Sequence, residues 1–129
     1  MEKGNSILIS IKMPYAAAIL SGAKRFELRR KFSRDVPKNT KLFLYVGGAV
    51  RGVLGECKIK TISRLPLKKL WSQVSIEAMI SWDHFSQYFQ GLEYGFAIEV
   101  SRPKKYPDKL SLSSIKNVRL KPPQSFCYF

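Results

Sequence analysis

The stretch from Ser6 to Arg30 changes its period twice with almost no linker, and this dictates how the chain begins to fold. Ser6-Ile7-Leu8-Ile9-Ser10-Ile11 is apolar and rich in β-branched residues, the pattern of a strand. Met13-Pro14 follows, then Tyr15-Ala16-Ala17-Ala18-Ile19-Leu20-Ser21 and Gly22. A proline at the start, alanines that propagate and a glycine that stops predict a helix of about two turns. Beyond it, Lys24-Arg25-Phe26-Glu27-Leu28-Arg29-Arg30 alternates charge with the apolar Phe26 and Leu28, the period of a half-buried strand. One face of that strand presents Arg25, Glu27 and Arg29.

The remaining elements follow from the same signals. Asp35-Val36-Pro37-Lys38-Asn39 is turn chemistry, and Leu42-Phe43-Leu44-Tyr45-Val46 is a strand broken by Gly47-Gly48. Residues 53–62 read as a strand with Cys57, Ile59 and Thr61 on one face and Glu56, Lys58 and Lys60 on the other. Gly47, Gly48, Gly52 and Gly55 mark bulges or close backbone approach, as at the corners of a small barrel. Leu67, Leu70, Trp71 and Val74 have helical spacing, and Ser75 and Ser81 both read as N-caps. After Ser81, Phe85 and Phe89 form an i,i+4 apolar pair that Gly91 terminates. Phe96-Ala97-Ile98-Glu99-Val100 is a strand, residues 109–112 a further one, and the tail aromatics Phe126, Tyr128 and Phe129 are expected to pack back on the body. The expected architecture is one α+β domain over residues 1–129. It is a small, mostly antiparallel β-barrel with a short N-terminal helix and a helical insertion in the middle.

Charge narrows the partners. The chain has 129 residues and a net charge of +14, which opposes compaction and points to a polyanion. Nucleic acid comes first and an anionic membrane surface second. The charge is segregated: residues 24–41 hold eight cations (Lys24, Arg25, Arg29, Arg30, Lys31, Arg34, Lys38, Lys41) against Glu27 and Asp35. Residues 70–101 hold no Lys or Arg but include Glu77, Asp83, Glu93 and Glu99, so this segment carries −4 and the remainder +18. No apolar run approaches the ~20 residues of a spanning helix, and the N-terminus lacks the pattern of a signal peptide. Cys57 and Cys127 are too few for a disulfide scaffold. The expectation is a reduced, cytoplasmic setting without membrane association.

Several chemistries are set aside on composition. His84 is the only histidine and sits on a helical face beside Asp83, so it reads as structural and not as part of a nucleophilic mechanism. One His and two distant Cys do not supply a zinc set, and the glycines match no phosphate-loop or dinucleotide pattern. No metal or cofactor is expected. Trp71 and Trp82 read as core, and Cys57 as a buried thiol.

The run from Gly22 to Arg29 stands apart. It places Lys24 and Arg29 within a few residues of Glu27 at a helix-to-strand junction, where the cations suit a phosphate and Arg29 a bidentate grip on phosphate or a base edge. The Gly-x-Lys-x-x-Glu-x-Arg run resembles that of the ASCH domains, relatives of the PUA-like barrel proteins. The preceding strand and short helix, the region 42–62, the Tyr94-Gly95-Phe96-Ala97-Ile98-Glu99-Val100 strand and the ending Pro122-Pro123-Gln124-Ser125-Phe126 are similar too. The resemblance implies a five- or six-stranded barrel with a cleft beside the motif that binds RNA. By this reading Lys24 and Arg29 line the cleft and Glu27 orients them or accepts from a base. The basic stretch, with Arg25, Arg30, Lys31 and Arg34, meets the phosphates of RNA or another single strand, and Tyr15, Phe26 and Tyr45 are candidates to stack on a base.

Some ASCH proteins are enzymes: one group hydrolyses acetylcytidine and a ribonuclease has been described. As an enzyme on nucleosides or RNA, this chain would use Lys24 as base or electrostatic stabiliser and Glu27 as general acid/base, with Glu77 or Asp83 as a further carboxylate. It departs from the amidohydrolase group, in which a threonine nucleophile occupies the place of Glu27. A protein partner docking on residues 70–101 is a third, weaker expectation.

Overall fold

The computed structural model describes residues 6–33, 35–115 and 125–128. Arg34, the run Pro122-Pro123-Gln124 and Phe129 lie outside these residues. The elements are β1 (Ser6–Ser10), α1 (Met13–Leu20), β2 (Phe26–Arg29), β3 (Lys41–Val46), β4 (Gly52–Pro66), α2 (Leu67–Val74), α3 (Trp82–Tyr88), β5 (Tyr94–Leu110), α4 (Leu112–Ile115) and β6 (Phe126–Tyr128). The strands form one sheet in the order β2-β5-β4-β3-β1-β6. The β1–β3 pair is parallel and the other pairs are antiparallel.

The ends of this sheet come together through side chains. Arg29 Nη2 donates to the Ser10 carbonyl at 2.6 Å, and the Phe32 and Phe126 rings lie 4.6 Å apart. β2 and β6 share no strand ladder among the described residues, so the sheet is a half-barrel with a seam. Ile7, Leu8 and Ile9 are all fully buried because β1 is covered on both faces. Ile7 and Ile9 join the main core with Leu42, Leu44, Cys57, Ile59 and Ile98, while Leu8 joins Phe43, Tyr45 and Val53. A further cluster holds α2 and α3 against the sheet through Leu28, Leu70, Val74, Phe85, Phe89 and Ala97. Gly95 permits that docking, since a Cβ there would lie 2.5 Å from Phe89 Cε1 and 2.8 Å from Leu70 Cδ2.

Four local expectations need correction. Thr61 does not continue the core face of β4. A bulge between Ile59 and Thr61 turns it outward, where its hydroxyl bonds Glu99, and Ile62 returns to the core. Residues 109–112 are not a separate strand: β5 runs unbroken to Leu110, and Leu112 opens α4. β5 tolerates Pro103 and Pro107 because β2 pairs only with Phe96 to Glu99, leaving the outer edge beyond free of a ladder. Ser75 is the C-cap of α2, its N–H bonded to the Trp71 carbonyl, and only Ser81 caps a helix start, accepting from His84 N–H. Trp82, at the first turn of α3, is half exposed and lies over Phe85 with Trp71 edge-on.

Candidate functional site

Gly22 does what the sequence asks of it. With φ at +87° it closes α1 and turns the chain back, so that Lys24 N–H bonds the Ala18 carbonyl at the mouth of β2. β2 then alternates as expected, sending Phe26 and Leu28 toward the cluster beneath α2 and α3 and Glu27 and Arg29 to the opposite face. Lys24, Glu27 and Arg29 converge on one wall of a cavity of about 580 Å³.

These three are far more buried than charged side chains on an alternating strand ordinarily are: Lys24 is 3% exposed, Glu27 6% and Arg29 8%. Lys24 Nζ donates to the Ala78 carbonyl at 2.8 Å, lies 3.7 Å from Glu27 Oε1 and sits 5.1 Å from the centre of the Tyr15 ring. Arg29 Nε lies 3.2 Å from Glu27 Oε2 in an ion pair, off the line of a good hydrogen bond, so its N–H can donate to another partner. Burial lowers the pKa of Lys24, while the Glu27 charge pulls it back up. Burial raises that of Glu27, opposed first by Arg29 and then by Lys24. Two cations around one carboxylate leave this wall with a single positive charge in a poorly solvated place, which favours an anion.

Arg25 does not share the cavity face with Glu27 and Arg29. It precedes β2, where its backbone bonds Glu77 and Val100, and its guanidinium is ion-paired with the Glu77 carboxylate. Arg30 donates through Nη1 to the carbonyls of Tyr88 and Gln90, and Lys31 is exposed. Among the sequence-proposed stacking residues, Tyr15 lines the cavity, whereas Phe26 and Tyr45 are packed in apolar clusters. Cys57 is buried, and its thiol is pushed up to about 12 by burial.

The facing wall was missed at the sequence level. His84, Gln87 and Tyr88, at i, i+3 and i+4 of α3, line the cavity opposite β2, with Ile80 at its edge and Ser10 and Lys12 nearby. His84, which the sequence reads as structural, thus lines the cavity. The signal lay in the sequence: Phe85 and Phe89 define the packed face of α3, so His84, Gln87 and Tyr88 had to project elsewhere. What no spacing revealed is that β2 stands across from them. Tyr88 ties the walls together, its hydroxyl donating to the Leu28 carbonyl and accepting from Arg30 N–H. Neither Glu77 nor Asp83 lines this cavity. Among the described residues no group of His, Cys, Asp and Glu is arranged to hold a metal ion, and no helix is long and apolar enough to cross a membrane.

Known proteins share this fold. The family model of the ASCH domain matches residues 9–106. An ASCH domain-containing ribonuclease of Zymomonas mobilis subsp. mobilis is 28% identical over 123 residues, covering 94% of this chain and 82% of its own. The crystal structure of ASCH from Zymomonas mobilis superposes with a TM-score of 0.88 at 27% identity, over 97% of this chain and 87% of that one. The N-terminal domain of Staphylothermus marinus McrB superposes with a TM-score of 0.57 at 13% identity, over 92% and 85% of the two chains, a likeness of fold alone. The half-barrel is thus of the PUA-like kind, and the chain, matched over most of its length by that family model, belongs to the ASCH domain family.

Proposed function

We propose that this protein binds single-stranded RNA, taking one nucleotide into the larger cavity. The observation that carries the reading is the pairing of two unlike walls across about 580 Å³: a buried cationic wall of Lys24, Glu27 and Arg29, and an open wall of His84, Gln87 and Tyr88. The volume lies within the ~300–1,000 Å³ of small-ligand pockets, which suits one unstacked nucleotide and not an intact duplex. Arg29 Nε and the Lys24 ammonium face a phosphate or base oxygen, Tyr15 and Tyr88 offer aromatic faces, and Gln87 offers an amide to a base edge. Arg25 and Arg30 hold the walls in place, and Lys31 remains available to the strand outside. Arg34 belongs to the same basic stretch.

Cleavage of the bound RNA is a second reading, favoured by the name of the Zymomonas relative and by the exposure of His84 in the cavity. Attack by a ribose 2′-oxygen on the adjacent phosphorus forms one P–O bond and breaks the bond to the 5′-oxygen. One proton leaves the nucleophile and one reaches the leaving group. An imidazole can take or return a proton, and the β2 cations stabilise the charge on phosphorus. Glu27, ion-paired on both sides, serves here to position Lys24 and Arg29. The amidohydrolase route has no hydroxyl at position 27 to use. Exposed Ile76, Met79 and Trp82 are the features that support a protein partner on residues 70–101.

The test uses the open wall, whose residues can be changed without burying a lone charge. Fluorescence anisotropy with a labelled single-stranded RNA should show tighter binding than with the matching duplex. The His84→Ala/Gln87→Ala double variant should bind at least about tenfold more weakly, a loss of ~1.4 kcal/mol. Equal binding by variant and wild type removes the cavity from the RNA-binding function. A cyclic-phosphate product end identifies the cleavage reading, and intact RNA after long incubation rejects it.

A further inference from the structure

The motif region contains many cations, yet most of them are engaged within the protein. Lys24 and Arg29 share Glu27, Arg25 pairs with Glu77, and Arg30 is bonded to backbone carbonyls. A strand of RNA entering the cavity needs phosphate contacts outside it, because such contacts set register and supply most of the affinity.

The cations that meet this need lie on β5. Arg102, Lys104 and Lys105 are exposed, and none has an acidic partner among the described residues. They sit beyond Glu99, where the ladder with β2 ends and the outer edge of β5 carries no further strand among the described residues. Arg102, where the cations begin, has φ of +52°, a backbone conformation that L side chains rarely adopt. At the root of this edge is a second cavity of about 200 Å³, lined by Lys24, Arg25, Lys60 and Ser101 among others. Its one acid, Glu99, is itself bound to Lys60 and Thr61. Lys24 lines both cavities, so the two adjoin at that residue.

We propose that the outer edge of β5 from Ser101 to Lys105, together with the small cavity at its root, is a second binding site for the phosphates of a single RNA strand. It holds the chain of the nucleotide that occupies the larger cavity. Backbone N–H groups on this edge, Pro103 having none, reinforce the side chains, since such groups also bind phosphate. The inference rests on the RNA reading above, but it moves the phosphate contacts from the motif to a part of the sheet that the motif does not mark.

Anisotropy with a labelled single-stranded RNA, repeated over a series of salt concentrations, tests it. The proteins compared are wild type, Lys104→Gln/Lys105→Gln, Lys104→Arg/Lys105→Arg and His84→Ala/Gln87→Ala, each with its melting curve. The glutamine double variant is expected to bind several-fold more weakly. Its plot of log affinity against log salt should be shallower by about 1.4, at ~0.7 per phosphate contact on a single strand, and by the same amount for every RNA sequence. The arginine variant should keep the wild-type slope. A wild-type slope and affinity in the glutamine variant overturn the proposal. Self-association of that variant with an unchanged slope also overturns it, since the lysines then only guard an open strand edge. If the glutamine variant binds normally while the His84/Gln87 variant is weakened, the cavity reading stands and this one falls. If wild type binds no RNA, both fall.

Discussion

Across the larger cavity Lys24, just before β2, and Glu27 and Arg29 on it are all nearly inaccessible, whereas α3 offers His84 and Gln87, both open to solvent, and the partly buried Tyr88. The first set is held by mutual ion pairs and by the Ala78 and Ser10 carbonyls, so its geometry is fixed before any ligand arrives. In the second set His84 and Gln87 project from a helix whose packing is done by Phe85 and Phe89. A buried charge cluster must be satisfied from within and therefore doubles as a structural element, while an exposed helical stripe is free to serve a ligand alone. On the proposed function, the difference gives preorganisation to one wall and contact with the bound nucleotide to the other.

Breaking the comparison at its strongest point means removing Glu27. Glu27→Ala leaves Lys24 and Arg29 buried beside each other, and urea unfolding should show a loss of about 3–5 kcal/mol. An unchanged midpoint would mean that the β2 wall is not a structural element. His84→Ala should do the opposite. Unfolding moves by under about 0.5 kcal/mol, while any RNA cleavage slows about 10²-fold, equivalent to ~2.7 kcal/mol of barrier. Gly95→Ala displaces α3 through Phe89 without touching β2, at an expected cost of about 1–3 kcal/mol. Heteronuclear spectra should show shifts at His84 and Gln87 larger than those at Lys24.

The smallest effect probes the link between the walls. Tyr88→Phe removes the hydroxyl that bonds Leu28 and Arg30, worth about 0.5–1.5 kcal/mol. Burial raises the Tyr88 phenol above its ordinary value of 10.0, so the folded protein holds a proton that the unfolded chain releases. Its contribution is complete below pH 10.0 and declines as pH climbs toward the raised value. Stability measured across that alkaline range should decline less steeply in Tyr88→Phe than in wild type.

Local pattern revealed more of this molecule than of its assembly. Pro14, the alanines and Gly22 marked α1, and the alternation of Phe26 and Leu28 with charge marked β2, because each depends on near neighbours in the chain. Thr61 was misplaced since a bulge resets the alternation of β4, and nothing in the run 59–62 announces it. Residues 109–112 read as a strand of their own, whereas β5 runs on to Leu110 through Pro103 and Pro107, because the outer edge there has no ladder to lose. Lys24, Glu27 and Arg29 were legible as a group, but their burial was not, since it depends on Ala78 and on α3, more than fifty residues away in sequence. His84 was overlooked for the same reason: a lone histidine gains meaning only from what faces it.

The seam of the half-barrel has a dynamic consequence. Strand ladders open cooperatively, but between β2 and β1 the sheet is held by the Arg29–Ser10 hydrogen bond and, beyond it, by the Phe32–Phe126 contact. Opening there is a local fluctuation well short of global unfolding, and amides bordering the seam should exchange with solvent sooner than those of the central strands. Arg29 also lines the cavity, so on the proposed reading the side chain that meets an anion through Nε is the one that closes the seam through Nη2. On that reading, occupancy of the site and breathing of the sheet are linked through one side chain.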